Sequence, residues 1–70
     1  MDHLMTIQQA RDLRGLTERE MAARLGISLR RYRRLEQNPG AATVRMAIQI
    51  ADVVGIPYDN LFFDTYSSLT

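Results

Sequence analysis

Residues that end helices recur along this chain at intervals that leave room only for short helices. Gly15, Gly26 and Gly55 each follow a run of apolar residues at helical spacing, and Asn38-Pro39-Gly40 interrupts the chain between the last two. Glycine just past the last periodic residue is a common end of an α-helix, and proline cannot continue one. The alternating pattern typical of a strand is absent. The sequence therefore predicts an all-α fold.

Good N-cap residues stand at the start of the segments between these stops. Thr17 precedes Glu20 by three residues, which is the spacing of a capping box. Ser28 and Thr43 suit the same role later in the chain, and Pro57 suits the first turn of a last helix. The sequence predicts five helices, at about residues 6–14, 17–25, 28–37, 43–54 and 57–62.

A chain of 70 residues is one domain, near the lower limit for a single apolar core. We expect residues 6–62 to form a compact five-helix bundle and residues 63–70 to form a C-terminal tail. The fourth helix is apolar around most of its circumference, so it should be central to the core. Its two apolar stripes are Val44, Ala47, Ile48, Ala51 and Val54, and Met46, Ile50 and Val53.

The positive charge of the chain is concentrated in the third predicted helix. All nine basic residues are arginines, and segment 28–36 holds four of them against Glu36, a balance of +3. Because the whole chain carries +1, the remainder carries −2. One basic segment on a nearly neutral protein favours an anionic partner approached from one side. Charge alone leaves a solvated helix face open as the alternative.

A helical wheel divides this third helix into two faces. Tyr32, Leu35 and Glu36 cluster on one side, and Arg30 and Arg34 lie opposite them. A helix anchored by the first group would expose the arginines. The major groove of DNA accepts an α-helix, and the guanidinium fork matches the O6 and N7 acceptors of guanine. The wheel therefore predicts a recognition helix that enters DNA.

The second helix and the turn after it support the same interpretation. Thr17 and the free amides at this helix N-terminus could bind a DNA phosphate. The tight turn at Leu25-Gly26-Ile27 would hold the second and third helices at a steep angle, and Ala22 is small where they would cross. This is the arrangement of a helix-turn-helix.

Five short motifs resemble the phage-repressor and Cro-like helix-turn-helix family, also called the xenobiotic-response-element type. They are Gly15-Leu16-Thr17, Met21-Ala22, Leu25-Gly26-Ile27-Ser28, Leu35-Glu36 and Val54-Gly55-Ile56-Pro57. The resemblance covers about residues 6–62. It implies a five-helix bundle of the lambda-repressor-like kind that binds operator DNA as a two-fold dimer.

The resemblance also implies roles for individual residues. The residues that would face base edges are Leu29, Arg30 and Arg34. Those that would lie near phosphates are Thr17, Ser28, Arg31, Arg33 and Arg45. Arg11 and Glu36 match a family pair that forms a partly buried ion pair between the first and third helices.

Three positions depart from the family pattern. Glu18 stands where many members have a glutamine that donates to a phosphate, which a carboxylate would repel. Tyr32 replaces a branched aliphatic residue, so its hydroxyl needs a partner or an opening to solvent. Leu29 stands where polar base readers are common, although it could pack on a thymine methyl.

We expect a sequence-specific double-stranded DNA-binding transcription regulator, a repressor, that binds a pseudo-palindromic operator as a homodimer. The candidate dimer interfaces are the stripe of Met46, Ile50 and Val53 and the tail residues Phe63, Tyr66 and Leu69. These residues could instead close the core of the monomer. A protein-interaction module, as in antitoxins or small phage-encoded inhibitors, is the alternative function that Glu18 and Leu29 suggest.

Other functional classes find little support in the sequence. The chain has no cysteine, and His3 is its only histidine, so we expect no metal, cofactor or disulfide. We expect no enzyme and no small-molecule substrate, because a His–carboxylate set and a Gly-rich phosphate loop are both missing. No apolar run approaches the ~20 residues needed to span a bilayer. We therefore expect a cytoplasmic protein with no membrane partner.

Overall fold

A computed structural model describes residues 4–61 of the chain. Within that range it contains four α-helices, followed or separated by short turns. They are α1 (Ile7–Leu13), α2 (Glu18–Leu25), α3 (Leu29–Gln37) and α4 (Val44–Val54). Single 3₁₀ turns occur at Pro39–Ala41 and Tyr58–Asn60. The prediction of an all-α fold is confirmed for the described range, where the sole β-type feature is an isolated bridge between Met5 and Leu61.

The prediction of a fifth helix at 57–62 is wrong for the part that the structure describes. Pro57 has ψ 140° and Leu61 has ψ 142°, both extended, so only the 3₁₀ turn of Tyr58–Asn60 fits between them. The amide of Met5 donates to the carbonyl of Asn60 at 2.9 Å. This hydrogen bond keeps the backbone at Leu61 extended, in the conformation that pairs it with Met5. Phe62 and the predicted tail lie outside the described residues.

A side chain caps the start of each of the four helices. Thr6, Thr17, Ser28 and Thr43 each accept a hydrogen bond from the backbone amide three residues further on. Such a bond satisfies one of the amides that the first turn of a helix leaves unpaired. The predicted starts of the second, third and fourth helices therefore agree with the structure to within one residue.

The core lies where α2 and α4 pack on each other and on their neighbours. Its largest fully buried side chains are Ile7, Met21, Tyr32, Ile50 and Val54. α2 packs on both α3 and α4, and α1 packs on α4. No helix within residues 4–61 is both long enough and apolar enough to cross a membrane.

The stripe of α4 that was a candidate dimer interface faces inward. Ile50 is fully buried, and Met46 and Val53 pack against the core. This stripe therefore closes the monomer core, the alternative that the sequence left open, and the candidate dimer interface at these three residues is wrong. Val44 and Ile48, from the other stripe, are 69% and 51% exposed. A helix that is apolar on most sides carries no local signal to say which side its neighbours cover.

The end of α4 is capped by a side chain from α1. Gly55 ends α4 with φ +67°, and its amide donates back to the carbonyls of Ala51 and Asp52. Val54 is the last residue of the helix, so no later helical amide is left to pair with its carbonyl. The Nε of Arg14 donates to the carbonyl of Val54, and its Nη2 donates to that of Gly55 at 3.3 Å. Because a cation is favourable at a helix C-terminus, Arg14 joins α1 to α4 by both hydrogen bonds and charge.

Replacing Arg14 by alanine should destabilise the fold while leaving its helices intact. The substitution removes two hydrogen bonds from a positive group to helix-terminal carbonyls, each worth about 0.5–1.5 kcal/mol net. Partial exposure of the site reduces the sum, and we expect a loss of about 1 kcal/mol in the free energy of unfolding. Urea denaturation followed by circular dichroism measures it. Arg19→Ala, an exposed arginine of α2, is the control, and an equal loss there would contradict the capping role.

Candidate nucleic-acid interface

The turn between α2 and α3 is short and fully hydrogen bonded. Gly26 ends α2 with φ +71°, a left-handed conformation that glycine adopts without steric cost. The amide of Ile27 then donates to the carbonyl of Ala22 at 3.0 Å. Ser28 follows directly as the N-cap of α3, accepting from the amide of Arg31 at 3.1 Å. One helix therefore ends and the next begins within three residues, which fixes their relative orientation.

The two faces of α3 differ as the helical wheel predicted. Tyr32 is fully buried and Leu35 is 5% exposed, whereas Leu29 is half-buried at the start of the helix. All four arginines of α3 are exposed: Arg30, Arg31, Arg33 and Arg34. The apolar anchors thus hold α3 against α2, and the guanidinium groups point away from the core.

The inner face of α3 is completed by a partly buried polar network. The Nε of Arg11, on α1, donates to Oε2 of Glu36 at 2.7 Å, so the predicted ion pair is present. The Tyr32 hydroxyl donates to the same carboxylate oxygen. The Nη1 of Arg11 also donates to the carbonyl of Leu16 at 2.9 Å. The two charged side chains are only 11% and 8% exposed.

This network explains the departure at Tyr32. A buried hydroxyl needs a partner, and Glu36, one helical turn further on, supplies it. The bond to Glu36 raises the pKa of Arg11 above its ordinary value. Burial, followed by the neighbouring Glu36 carboxylate, raises the pKa of Tyr32. The network therefore keeps Arg11 charged and the phenol protonated, and it ties α3 to α1 from behind.

Two amides at the N-terminus of α2 are paired with the protein's own side chains. Thr17 Oγ1 accepts from the amide of Glu20 at 3.0 Å, and the Glu20 carboxylate accepts from the amide of Thr17 at 2.8 Å. The bond from the Thr17 amide lowers the pKa of Glu20. The capping box predicted from sequence is therefore present. Thr17 lies at the start of α2 as predicted, and its hydroxyl oxygen accepts from the amide of Glu20 within that helix.

One predicted phosphate ligand, Arg33, has an intramolecular partner. Its Nε donates to Oε1 of Glu18, the first residue of α2, at 3.0 Å. The sequence shows both charges but not the pairing, because the residues are 15 positions apart on different helices. Only the packing of α2 on α3 brings them together.

The remaining predicted phosphate ligands lie around α3 and the start of α4. Arg31 and Arg34 line a cleft of about 220 Å³ together with Thr43, the N-cap of α4. Ala41 and Ala42, in the segment before α4, also line it. Arg45 is exposed in the first turn of α4. The two alanines carry no signal in the sequence that would mark them as part of a cleft.

The comparisons with known proteins gave one result. A family model described as helix-turn-helix matches residues 7–61, a range that contains all four helices and both 3₁₀ turns. Searches of curated proteins and of solved structures gave no match.

The buried Tyr32 should make the fold sensitive to alkaline pH. A group whose pKa is raised on folding contributes stability below its unfolded pKa, about 10 for tyrosine, and loses it as the pH rises further. We therefore expect the free energy of unfolding to fall above about pH 10, by up to ~1.4 kcal/mol per pH unit. In Tyr32→Phe this decrease should be much smaller. Urea denaturation at a series of pH values measures it, with Tyr58→Phe as the control for removal of a hydroxyl from a tyrosine outside the core, which is 44% exposed. An unchanged pH dependence in Tyr32→Phe would show that the Tyr32 phenol is not the source of the loss of stability at alkaline pH.

Proposed function

Because the chain belongs to the helix-turn-helix family of the Cro/C1 type, we propose that it is a sequence-specific transcription regulator that binds double-stranded DNA in the cytoplasm. The observation that carries this proposal is the exposed arginine face of α3, opposite Tyr32 and Leu35. A short, rigidly held helix with this face can enter a major groove. The packing leaves that face open within residues 4–61.

We assign base reading to the outermost side chains of α3. Arg30 and Arg34 carry guanidinium forks suited to guanine, and the half-buried Leu29 can pack on a thymine methyl. Contacts to phosphates position the protein but carry no sequence information. We assign these to the N-caps Thr17 and Ser28 and to Arg31 and Arg45, whereas Arg33 is already paired with Glu18.

We further propose repression as the mode of regulation. Repression requires only that a bound protein cover promoter DNA, and a domain of this size can do so alone. Activation would need an additional surface that recruits the transcription machinery. The interaction-module alternative predicts instead that the arginines of α3 bind an acidic protein and that duplex DNA is not bound.

The outer face of α4 is the dimer interface that we propose in place of the buried stripe. Val44 and Ile48 are exposed there, and Ile48 lines a hollow of about 370 Å³ with Pro57 and the 44%-exposed Tyr58. Apolar side chains grouped at the surface are typical of interaction sites. A two-fold dimer formed through this face would place two copies of α3 on half-sites about one helical turn, ~34 Å, apart.

Replacing Arg34 by alanine should weaken operator binding and relax base preference. Loss of one bidentate contact to a base costs about 1–3 kcal/mol. Arg31→Ala, the matched control on the same helix, should weaken binding to all sequences evenly. A selection from random duplexes at moderate salt first identifies the operator, and titrations of operator and random DNA then measure both variants.

Two results would contradict the proposed role of α3 in binding DNA. Equal losses on operator and random DNA in both variants would exclude direct base reading by Arg34. Absence of duplex binding by the natural sequence even at low salt would favour the interaction module.

Replacing Ile48 by glutamate should dissociate the dimer without unfolding the monomer, because this side chain is already half exposed. Burying a carboxylate in each half of a two-fold contact should raise the dimer dissociation constant at least about tenfold. Sedimentation equilibrium measures this constant, and operator affinity should fall in parallel. Leu13→Glu changes another exposed apolar residue, on α1, and is the control. Dissociation by Leu13→Glu but not by Ile48→Glu would place the interface elsewhere.

A further inference from the structure

The ion pair between Glu18 and Arg33 lies at the edge of the proposed DNA-binding face. Both side chains are accessible to solvent, with 32% and 57% of their surfaces exposed. The pair uses the Nε of Arg33 and one carboxylate oxygen, Oε1. Arg33 therefore remains at the surface, but its charge is balanced before any ligand arrives.

The N-terminal end of α2, where Glu18 lies, carries a second carboxylate. Glu20 closes the capping box with Thr17, so two acidic side chains lie in the first turn of this helix. A helix N-terminus attracts anions through its unpaired amides and its dipole. Here the protein's own carboxylates lie at this position: Glu20 accepts from the amide of Thr17, and Glu18 pairs with Arg33. A DNA phosphate approaching Thr17 would meet Glu18 beside it.

From this geometry we propose that Glu18 is an internal competitor of DNA. Its carboxylate holds Arg33 and repels a phosphate at the N-terminus of α2, and so it limits the affinity for every DNA sequence. This inference rests on the proposed function. The contribution of phosphate contacts to affinity does not depend on DNA sequence. Glu18 therefore reduces the affinity for operator and for random DNA by similar factors, and base preference still depends on Arg30 and Arg34.

An exposed ion pair is well suited to this competition. Such pairs contribute little to stability, because solvent screens them. Glu18 can therefore be changed without unfolding the protein. Glutamine is the most informative replacement, since it keeps the side-chain length and the acceptor oxygen facing Arg33 while removing the negative charge.

A double-mutant cycle tests the proposal with the natural protein, Glu18→Gln, Arg33→Ala and the combined variant. Glu18→Gln should tighten binding to both operator and random duplexes about fivefold per subunit, the effect of one charge near a phosphate. The dependence of log affinity on log salt should steepen by about 1 per subunit as Arg33 engages a phosphate. Arg33→Ala should change affinity less than about twofold in the natural background. In the Glu18→Gln background it should remove most of the gain, leaving only the part that comes from ending the direct repulsion between Glu18 and a phosphate.

Asp59→Asn provides the matched control for net charge. Asp59 is exposed in the 3₁₀ turn of Tyr58–Asn60 and does not line the hollow beside Ile48, and its replacement removes the same charge. It should leave the salt dependence unchanged. An increase in affinity equal to that of Glu18→Gln would attribute the effect to overall charge and overturn the proposal.

The cycle has two other outcomes that refute a competitor role. Equal losses from Arg33→Ala in both backgrounds would mean that Arg33 already contacts DNA. Weaker binding by Glu18→Gln would mean that Glu18 positions Arg33 for DNA rather than withholding it. In either case Arg34→Ala would still relax base preference, so the proposed function would survive. If none of the four proteins bound duplex DNA at low salt, both proposals would fail.

Discussion

The orientation of α3 depends on one carboxylate that serves two donors. Four of the nine residues of α3 are arginines, so the helix contributes few apolar side chains to the core, chiefly Tyr32 and Leu35. Glu36 adds a polar attachment on the same face by accepting from both Arg11 and the Tyr32 hydroxyl. A nearly buried charge is tolerated only when it is paired and hydrogen bonded. The network of Arg11, Tyr32 and Glu36 therefore sets the orientation of the arginine-bearing face without contacting a ligand.

The arginines of this chain perform different tasks according to where packing places them. Arg11 is paired inside the bundle, Arg14 caps the end of α4, and Arg33 is balanced by Glu18. Others, such as Arg30 and Arg34, are exposed on α3. A count of basic residues overstates the charge available to an anionic ligand, because part of it is satisfied within the fold. The guanidinium group suits all of these environments, since it remains charged when buried and offers several donors.

Sequence reasoning succeeded where the signal is local and failed where it is not. The helices capped by Thr17, Ser28 and Thr43 were predicted because an N-cap side chain bonds an amide only three residues away. The burial of Tyr32 and the exposure of Arg34 followed from helical periodicity. The fifth helix failed because the pairing of Met5 with Leu61 joins distant parts of the chain. The partner of Arg33 was missed for the same reason. The sequence also left open whether Met46, Ile50 and Val53 of α4 face inward, since both features are set by how helices pack.

The pairing of Met5 with Leu61 also has a consequence for folding. It joins residues separated by nearly the whole described chain, so forming it requires closing the longest loop in the bundle, at an entropic cost that grows with the logarithm of loop length. Such a contact forms after the local helices and opens before them. The Met5 amide should accordingly exchange with solvent faster than those inside α2 and α3. Because positions 5 and 61 are adjacent in space, a short linker could join them, and a circularly permuted chain opened elsewhere could keep the same bundle.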